Sequence, residues 1–187
     1  MARQKFSESI EIPEGIICTF ESEVLKCKKD NMEVGRRIDI PFLELKIEGN
    51  SVTLVSSSAN KVQIKKIRTL FAHLANMFRG LNQKFVYHLG VASVHFPMTL
   101  KIEGSNLFVT NFLGEKVPRK AKILPNVEVE IKGQEITISS FDREAAGQTA
   151  ANFEKATRTK NKDRRIFQDG IYITSKPLSK KTGESNA

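Results

Sequence analysis

Apolar and polar residues alternate strictly along several stretches of this chain, and each stretch stops at a turn signal. Leu43, Leu45 and Ile47 lead to Gly49-Asn50 and on to Val52 and Leu54, while Val127, Val129 and Ile131 lead to Gly133-Gln134 and on to Ile136 and Ile138. A period of two predicts strands with one buried and one wet face, and glycine- or asparagine-containing turns fold neighbours into hairpins. Earlier in each half, Leu25-Lys26-Cys27 passes Lys29-Asp30-Asn31 to reach Met32-Glu33-Val34, and Leu100-Lys101-Ile102 passes Gly104-Ser105-Asn106 to reach Leu107-Phe108-Val109.

These pairs predict an internal repeat. The pentapeptide LKIEG at 45–49 and 100–104 suggests an offset of 55, but that would lay the helical pattern of 61–78 over 116–133, where Pro118 and Pro125 exclude a continuous helix. Offsets of 75 for the first hairpins and 84 for the second avoid this, and place nine extra residues in the Gly114 to Pro125 connection of the second copy. A helix is expected after each second hairpin. In the first copy Ile64, Ile67, Phe71, Leu74 and Phe78 draw one stripe, with Ser58 or Asn60 as cap and Gly80 as stop. In the second, Asp142 caps a thinner stripe of Ala146, Ala150, Phe153 and Ala156.

The expected architecture is α+β: a tandem duplication of a small unit, each an antiparallel sheet with one helix packed on one face. The units are expected over residues 1–84 and 85–176, with a linking strand around Phe85 to Val91 and a neutral turn before Pro97. Residues 177–187 have the composition of a flexible tail.

Composition adds little until charge is placed along the chain. Of 187 residues 40% are hydrophobic and 27% charged, which is ordinary for a folded soluble protein. No apolar run approaches the roughly 20 residues that span a bilayer, and the N-terminus lacks a signal peptide's apolar stretch, so a cytoplasmic protein without a membrane partner is expected. The formal net charge is +9, and between Lys155 and Lys181 nine Lys or Arg stand against two acids, Asp163 and Asp169. So dense a cluster is the footprint of a polyanion-binding surface, because each neutralised phosphate releases condensed counterions. Ile166, Phe167, Ile171, Tyr172 and Ile173 lie within it and predict packed structure rather than a solvated tail.

Catalytic chemistry finds no scaffold. Cys18 and Cys27 are too few for a disulfide framework or a zinc site and are read as reduced thiols on strands. His73, His88 and His95 form no metal-binding pair, and there is no nucleophile elbow, phosphate loop or dinucleotide fingerprint. Neither an enzyme nor a cofactor is expected. The small residues of Gly147-Gln148-Thr149-Ala150-Ala151-Asn152 permit either close helix packing or the approach of a phosphate backbone, and the basic neighbours favour the second, with Gln148 and Asn152 as donors.

The strings MFRG at 77–80, HFPM at 95–98, NFLGEKVPR at 111–119, GQTAANFEKATR at 147–158 and KDRRIFQDGIYIT at 162–174 resemble the archaeal and eukaryotic branch of the sixth large-subunit ribosomal protein family. The resemblance covers the chain up to Lys176 and implies a duplicated α+β fold and a structural role. It further implies binding of large-subunit rRNA through the C-terminal copy near the factor-binding region at the stalk base. Neighbouring large-subunit proteins would be partners, and elongation factors indirect ones. Carried onto this sequence, the RNA face would be Gln148, Lys155, Arg158, Lys160, Lys162, Arg164, Arg165 and Lys176, with Tyr172 as packing or stacking support. In an extended segment the adjacent Arg164 and Arg165 point to opposite sides, so one of them is expected to clamp phosphate. A free-standing RNA- or DNA-binding regulatory module would share the same face, and an RNA-processing enzyme using His88 or His95 is a third reading.

Overall fold

The computed structural model describes residues 4–30, 32–40 and 43–177. Apart from Pro177, the expected tail lies outside the described residues, as does Asn31 of the first turn signal. The chain divides into two compact units at Lys84 and Phe85.

In the first unit β1 (Gln4–Glu11), β5 (Glu44–Glu48) and β6 (Ser51–Ala59) form an antiparallel sheet with β6 central. Strands β2 (Ile17–Glu21), β3 (Val24–Lys29) and β4 (Met32–Arg37) form a second sheet with β3 central, and α1 (Lys61–Asn82) follows β6. The second unit repeats this strand for strand. Its β7 (Phe85–Ala92), β11 (Glu128–Lys132) and β12 (Glu135–Ser140) take the places of β1, β5 and β6, and β8 (Thr99–Glu103), β9 (Asn106–Thr110) and β10 (Arg119–Lys122) those of β2, β3 and β4. Helix α2 (Arg143–Ala156) follows β12, and β13 (Gly170–Ser175), which has no counterpart, adds to the far side of β7. Each unit thus divides its antiparallel strands between two sheets. The expected linking strand is β7, an interior strand of the second unit.

The offset of 84 matches the hairpin registers: Leu45 opposite Leu54 becomes Val129 opposite Ile138, and Ile47 opposite Val52 becomes Ile131 opposite Ile136. Even the buried serines Ser56 and Ser140 correspond. The offset of 75 is wrong. Glu21 pairs with Val24 and Glu103 with Asn106, so the β2–β3 hairpin matches β8–β9 at an offset of 82. Leu25 and Cys27 then correspond to Leu107 and Val109, and all four are at most 1% exposed, whereas Ile102 on the edge strand β8 is 37% exposed. An alternating pattern looks alike on edge and central strands, so a shared Leu-Lys dipeptide could not tell them apart. The nine-residue insertion falls with it, since offsets of 82 and 84 leave two extra residues ahead of β11.

Asn60, rather than Ser58, caps α1: its side chain accepts from the Gln63 N–H at 2.8 Å, while the Gln63 side chain accepts from the Asn60 N–H at 2.9 Å. Gly80 does not stop the helix, which runs on to Asn82. A terminating glycine turns left-handed, and Gly80 is not among the residues with positive φ; the burial of Leu81, 1% exposed, holds the last turn in place. The buried line is Ile67, Leu70, Leu74, Met77, Phe78 and Leu81, with Phe71 half-buried at its margin. In α2 the Asp142 side chain accepts from the Glu144 N–H at 2.9 Å, and Ala145, Ala146, Thr149, Ala150 and Phe153 are buried. Each unit has its own core. One gathers the α1 residues with Leu25, Cys27, Val52 and Leu54, and the other gathers Ala146, Ala150 and Phe153 with Leu107, Val109, Phe112, Ile136, Ile138 and Ile171. Cys18 and Cys27 stand opposite one another on β2 and β3 as free thiols, Sγ to Sγ 2.7 Å.

Candidate nucleic-acid interface

The basic segment leaves the C-terminal end of α2 and returns as β13, and three long-range anchors hold it. The first is Arg119 on β10. Its Nη1 donates to the carbonyls of Ala156 and Arg158 at 2.9 and 3.0 Å, a cation on the unsatisfied end of α2. Its Nε and Nη2 donate to the Glu115 carboxylate at 2.7 and 2.6 Å, and its guanidinium lies 4.1 Å above the Phe112 ring. The hydrogen bonds from Arg119 hold the Glu115 carboxyl below its ordinary pKa.

Thr157 is the second anchor: its Oγ1 accepts from the Ile171 N–H at 2.8 Å, joining the helix end to β13. The third is Asp169, 1% exposed, whose carboxylate accepts from the backbone N–H groups of Val94 and His95 at 2.8 and 2.9 Å and meets His95 Nδ1 at 2.6 Å. Burial pushes the Asp169 pKa up, but these donors outweigh it and hold the carboxyl below its ordinary value. The His95 ring packs on Phe167 with centroids 5.1 Å apart, and Lys162 Nζ sits 4.5 Å from the centroid of the same ring. In addition, Asn111 Nδ2 donates to the Pro97 carbonyl at 3.0 Å, and Asn152 Nδ2 to the Lys122 carbonyl at 2.9 Å. The four strings that lie in the second unit are therefore tied to one another.

Between the end of α2 and the start of β13 lies a cleft of about 430 Å³, lined by Lys155, Arg158, Arg164 and Tyr172 together with Glu154, Thr157, Thr159, Gly170 and others. These are four of the nine expected site residues. Lys160, Lys162 and Arg165 are exposed on the connecting segment outside it, and Lys176 is exposed just after β13. Gln148 lies apart, in a hollow with Asp142 and Glu144, and its Nε2 donates to Asn152 Oδ1 at 2.9 Å.

Several local expectations change. Arg164 and Arg165 are not in an extended segment: the Asp163 carboxylate accepts from the Arg165 N–H at 2.9 Å and the Asp163 carbonyl from Phe167 N–H at 2.9 Å, so the chain turns there and Arg164 alone of the two lines the cleft. The amide of Asn152 is committed to Lys122 and Gln148 within the protein. Gly147 serves close packing, because a Cβ there would meet Tyr87 Oη at 2.9 Å. Arg119, Thr157 and Asp169 are not among the expected site residues, because charge along the chain does not reveal contacts formed across 14 to 75 residues. Among the described residues no group of His, Cys, Asp and Glu could hold a metal ion, and no helix is long and apolar enough to cross a membrane.

Comparison with known proteins identifies the family. The model of the family described as Ribosomal protein L6 matches residues 96–170, from the HFPM loop to the first residue of β13. The chain is 40% identical over 168 residues to the large ribosomal subunit protein uL6 of Haloarcula marismortui, covering 90% of this chain and 94% of that one. The uL6 of Methanobrevibacter smithii is 40% identical over 169 residues, covering 90% of this chain and 95% of its own. That of Methanospirillum hungatei is 38% identical over 167 residues, with coverage of 89% and 95%. Matches of this identity along nearly the full length of both partners place the chain in the uL6 family of ribosomal proteins, in its archaeal type.

Proposed function

We propose that the protein is a structural, non-enzymatic constituent of the large ribosomal subunit in the cytoplasm, and that it holds large-subunit rRNA on the basic face of its second unit. Its place there is near the factor-binding region at the base of the stalk. Neighbouring large-subunit proteins are its partners, and elongation factors are affected only indirectly, through the RNA it positions. The carrying observation is the cleft in which Lys155, Arg158 and Arg164 converge between two elements pinned by Arg119, Thr157 and Asp169. Folded RNA presents phosphates and 2′-hydroxyls over a fixed shape, and cations on a rigid frame meet such a target without first having to be ordered. Lys160, Lys162, Arg165 and Lys176 extend the basic field around the cleft, and Gln148 marks its outer limit on α2.

The test compares two triple variants in binding to an rRNA fragment from the factor-binding region and in co-sedimentation with large subunits. Lys155→Gln, Arg158→Gln and Arg164→Gln together are expected to lower the slope of log affinity against log salt by about two units. Neutralising Lys26, Lys28 and Lys29 removes the same charge from the first unit and should change the slope far less. Equal losses from the two variants would mean binding through diffuse net charge and would remove the second unit's claim to the RNA face.

A further inference from the structure

We propose that the cleft between α2 and β13 holds a single unstacked nucleotide of RNA, its base against the ring of Tyr172 and its phosphates on Lys155, Arg158 and Arg164. This rests on the RNA-binding reading above and adds what the cleft itself selects. A face that bound only a duplex would need cations spread along a surface, whereas here the cations surround a concavity. Its volume, about 430 Å³, falls within the roughly 300–1,000 Å³ of hollows that take small ligands.

Tyr172 is the feature that points to a base. It is 45% exposed, yet it is not free to move: its hydroxyl donates to the Gln168 carbonyl at 3.0 Å. Its phenol end lies over Gly170, where a Cβ would come within 3.2 Å of Cζ and Oη. Glycine at 170 leaves room for the ring, and the hydrogen bond keeps it there. An exposed aromatic side chain that is already ordered loses little entropy when a base stacks on it, which is how single-stranded RNA is held by proteins. The floor is fixed too, by the Thr157–Ile171 hydrogen bond and by Arg119 beneath the end of α2. Glu154, the only acid among the lining residues, would repel phosphate but accepts hydrogen bonds from the amino and imino groups of a base. In an A-form duplex the bases are stacked on one another, so this ring would have nothing to meet.

The experiment uses the full-length protein with two probes, a short mixed-sequence single-stranded RNA and the blunt duplex of the same strand. The chain has no tryptophan and two tyrosines, of which Tyr87 is 8% exposed, so quenching of tyrosine emission on binding reports chiefly on Tyr172. The single strand should quench wild-type emission. Tyr172→Leu, with its fold verified by thermal melting, should weaken single-strand binding about ten-fold at an unchanged salt slope, and duplex binding by less than about two-fold. Tyr172→Phe keeps the ring and should retain most of the affinity. Absence of quenching, or equal effects of Tyr172→Leu on the two probes, would overturn the proposal. If the triple neutralisation of Lys155, Arg158 and Arg164 lowers the salt slope on both probes while Tyr172→Leu weakens binding to neither probe, the nucleotide site falls and the RNA face stands. If neutralisation changes neither slope, the RNA face falls with it.

Discussion

Helix α1 covers its sheets with Ile67, Leu70, Leu74, Met77, Phe78 and Leu81 over 22 residues, while α2, in the corresponding place, uses Ala145, Ala146, Thr149, Ala150 and Phe153 over 14. A helix of small residues lies close to its sheet, and it ends sooner. The second unit completes its core from elsewhere, with Phe112 from the connection between β9 and β10 and Ile171 from β13. Both sources belong to the frame that shapes the cleft: Phe112 lies under Arg119, and Ile171 is tied to Thr157. Charge totals do not separate the units, since residues 1–84 hold 14 Lys or Arg against 10 acids and residues 85–187 hold 16 against 11. What separates them is that α1 runs for 22 residues on large apolar side chains, while α2 stops after 14 and leaves at its open end the cleft lined by Lys155, Arg158 and Arg164.

The largest effects should come from the two cores. Leu74 and Phe153 are both fully buried. Leu74→Ala and Phe153→Ala should each cost about 3–5 kcal/mol of stability in urea unfolding by leaving cavities. Their consequences for RNA should differ. Under conditions where both variants are folded, Phe153→Ala should weaken rRNA-fragment binding because Phe153 supports the last turn of α2, and Leu74→Ala should leave it nearly unchanged. Equal losses of binding would show that the labour is not divided in this way.

How much of this was readable in the sequence depended on the range of the interactions. The hairpins at 43–56 and 127–140 correspond at the expected offset of 84, because alternation and turn chemistry are local. Both helices are legible from their stripes and caps, although the local signal at Gly80 does not reveal that the burial of Leu81 carries α1 on to Asn82. The mispairing of 25–34 with 100–109 has the same root, since whether a strand is central or at an edge is decided by partners elsewhere in the chain. Of the site, the charge is legible because it belongs to single residues, whereas the exposure of Tyr172 and Ile166, 45% and 62%, departs from the packing expected of them because it depends on what the fold places beside them. The anchors are not legible either: Arg119 meets Ala156 across 37 residues, and Asp169 meets His95 across 74. A basic residue and an acid that look like members of a charge pattern turn out to fasten the segment that carries it.

Asp169 offers the next test, because β13 and its anchor have no counterpart in the first unit. Asp169→Asn removes a buried carboxylate that accepts from three N–H groups, and should cost about 2–3 kcal/mol at neutral pH. The folded protein holds this carboxyl below its ordinary pKa, so its contribution is fully present above the unfolded-state value of about 3.9 and is lost as pH falls through the depressed folded value. The stability gap between wild type and Asp169→Asn, measured by chemical unfolding, should therefore narrow in acid. A gap that stays constant down to about pH 3 would show that the carboxylate's charge is not what holds the loop at Val94 and His95.

The smallest effect is the most specific to the close packing of α2. At Gly147 an added Cβ would lie 2.9 Å from Tyr87 Oη but 3.4 Å from Tyr87 Cζ, so the obstruction is the hydroxyl of a ring that is itself 8% exposed. Alanine in a helix interior is otherwise favoured over glycine by about 1 kcal/mol, and overpacking a tight contact costs about 1–3 kcal/mol. Gly147→Ala should thus be mildly destabilising in the natural background, by about 1 kcal/mol once the two terms offset. With Tyr87→Phe the hydroxyl is gone, the nearest contact becomes an ordinary one, and the same substitution should become stabilising by up to about 1 kcal/mol. The sign change, read from unfolding of the two single variants and the double variant, measures the contact itself, because helix propensity is the same in both backgrounds. If Gly147→Ala were stabilising with Tyr87 intact, α2 would have room to move away from β7, and its small residues would no longer account for the closeness that sets it apart from α1.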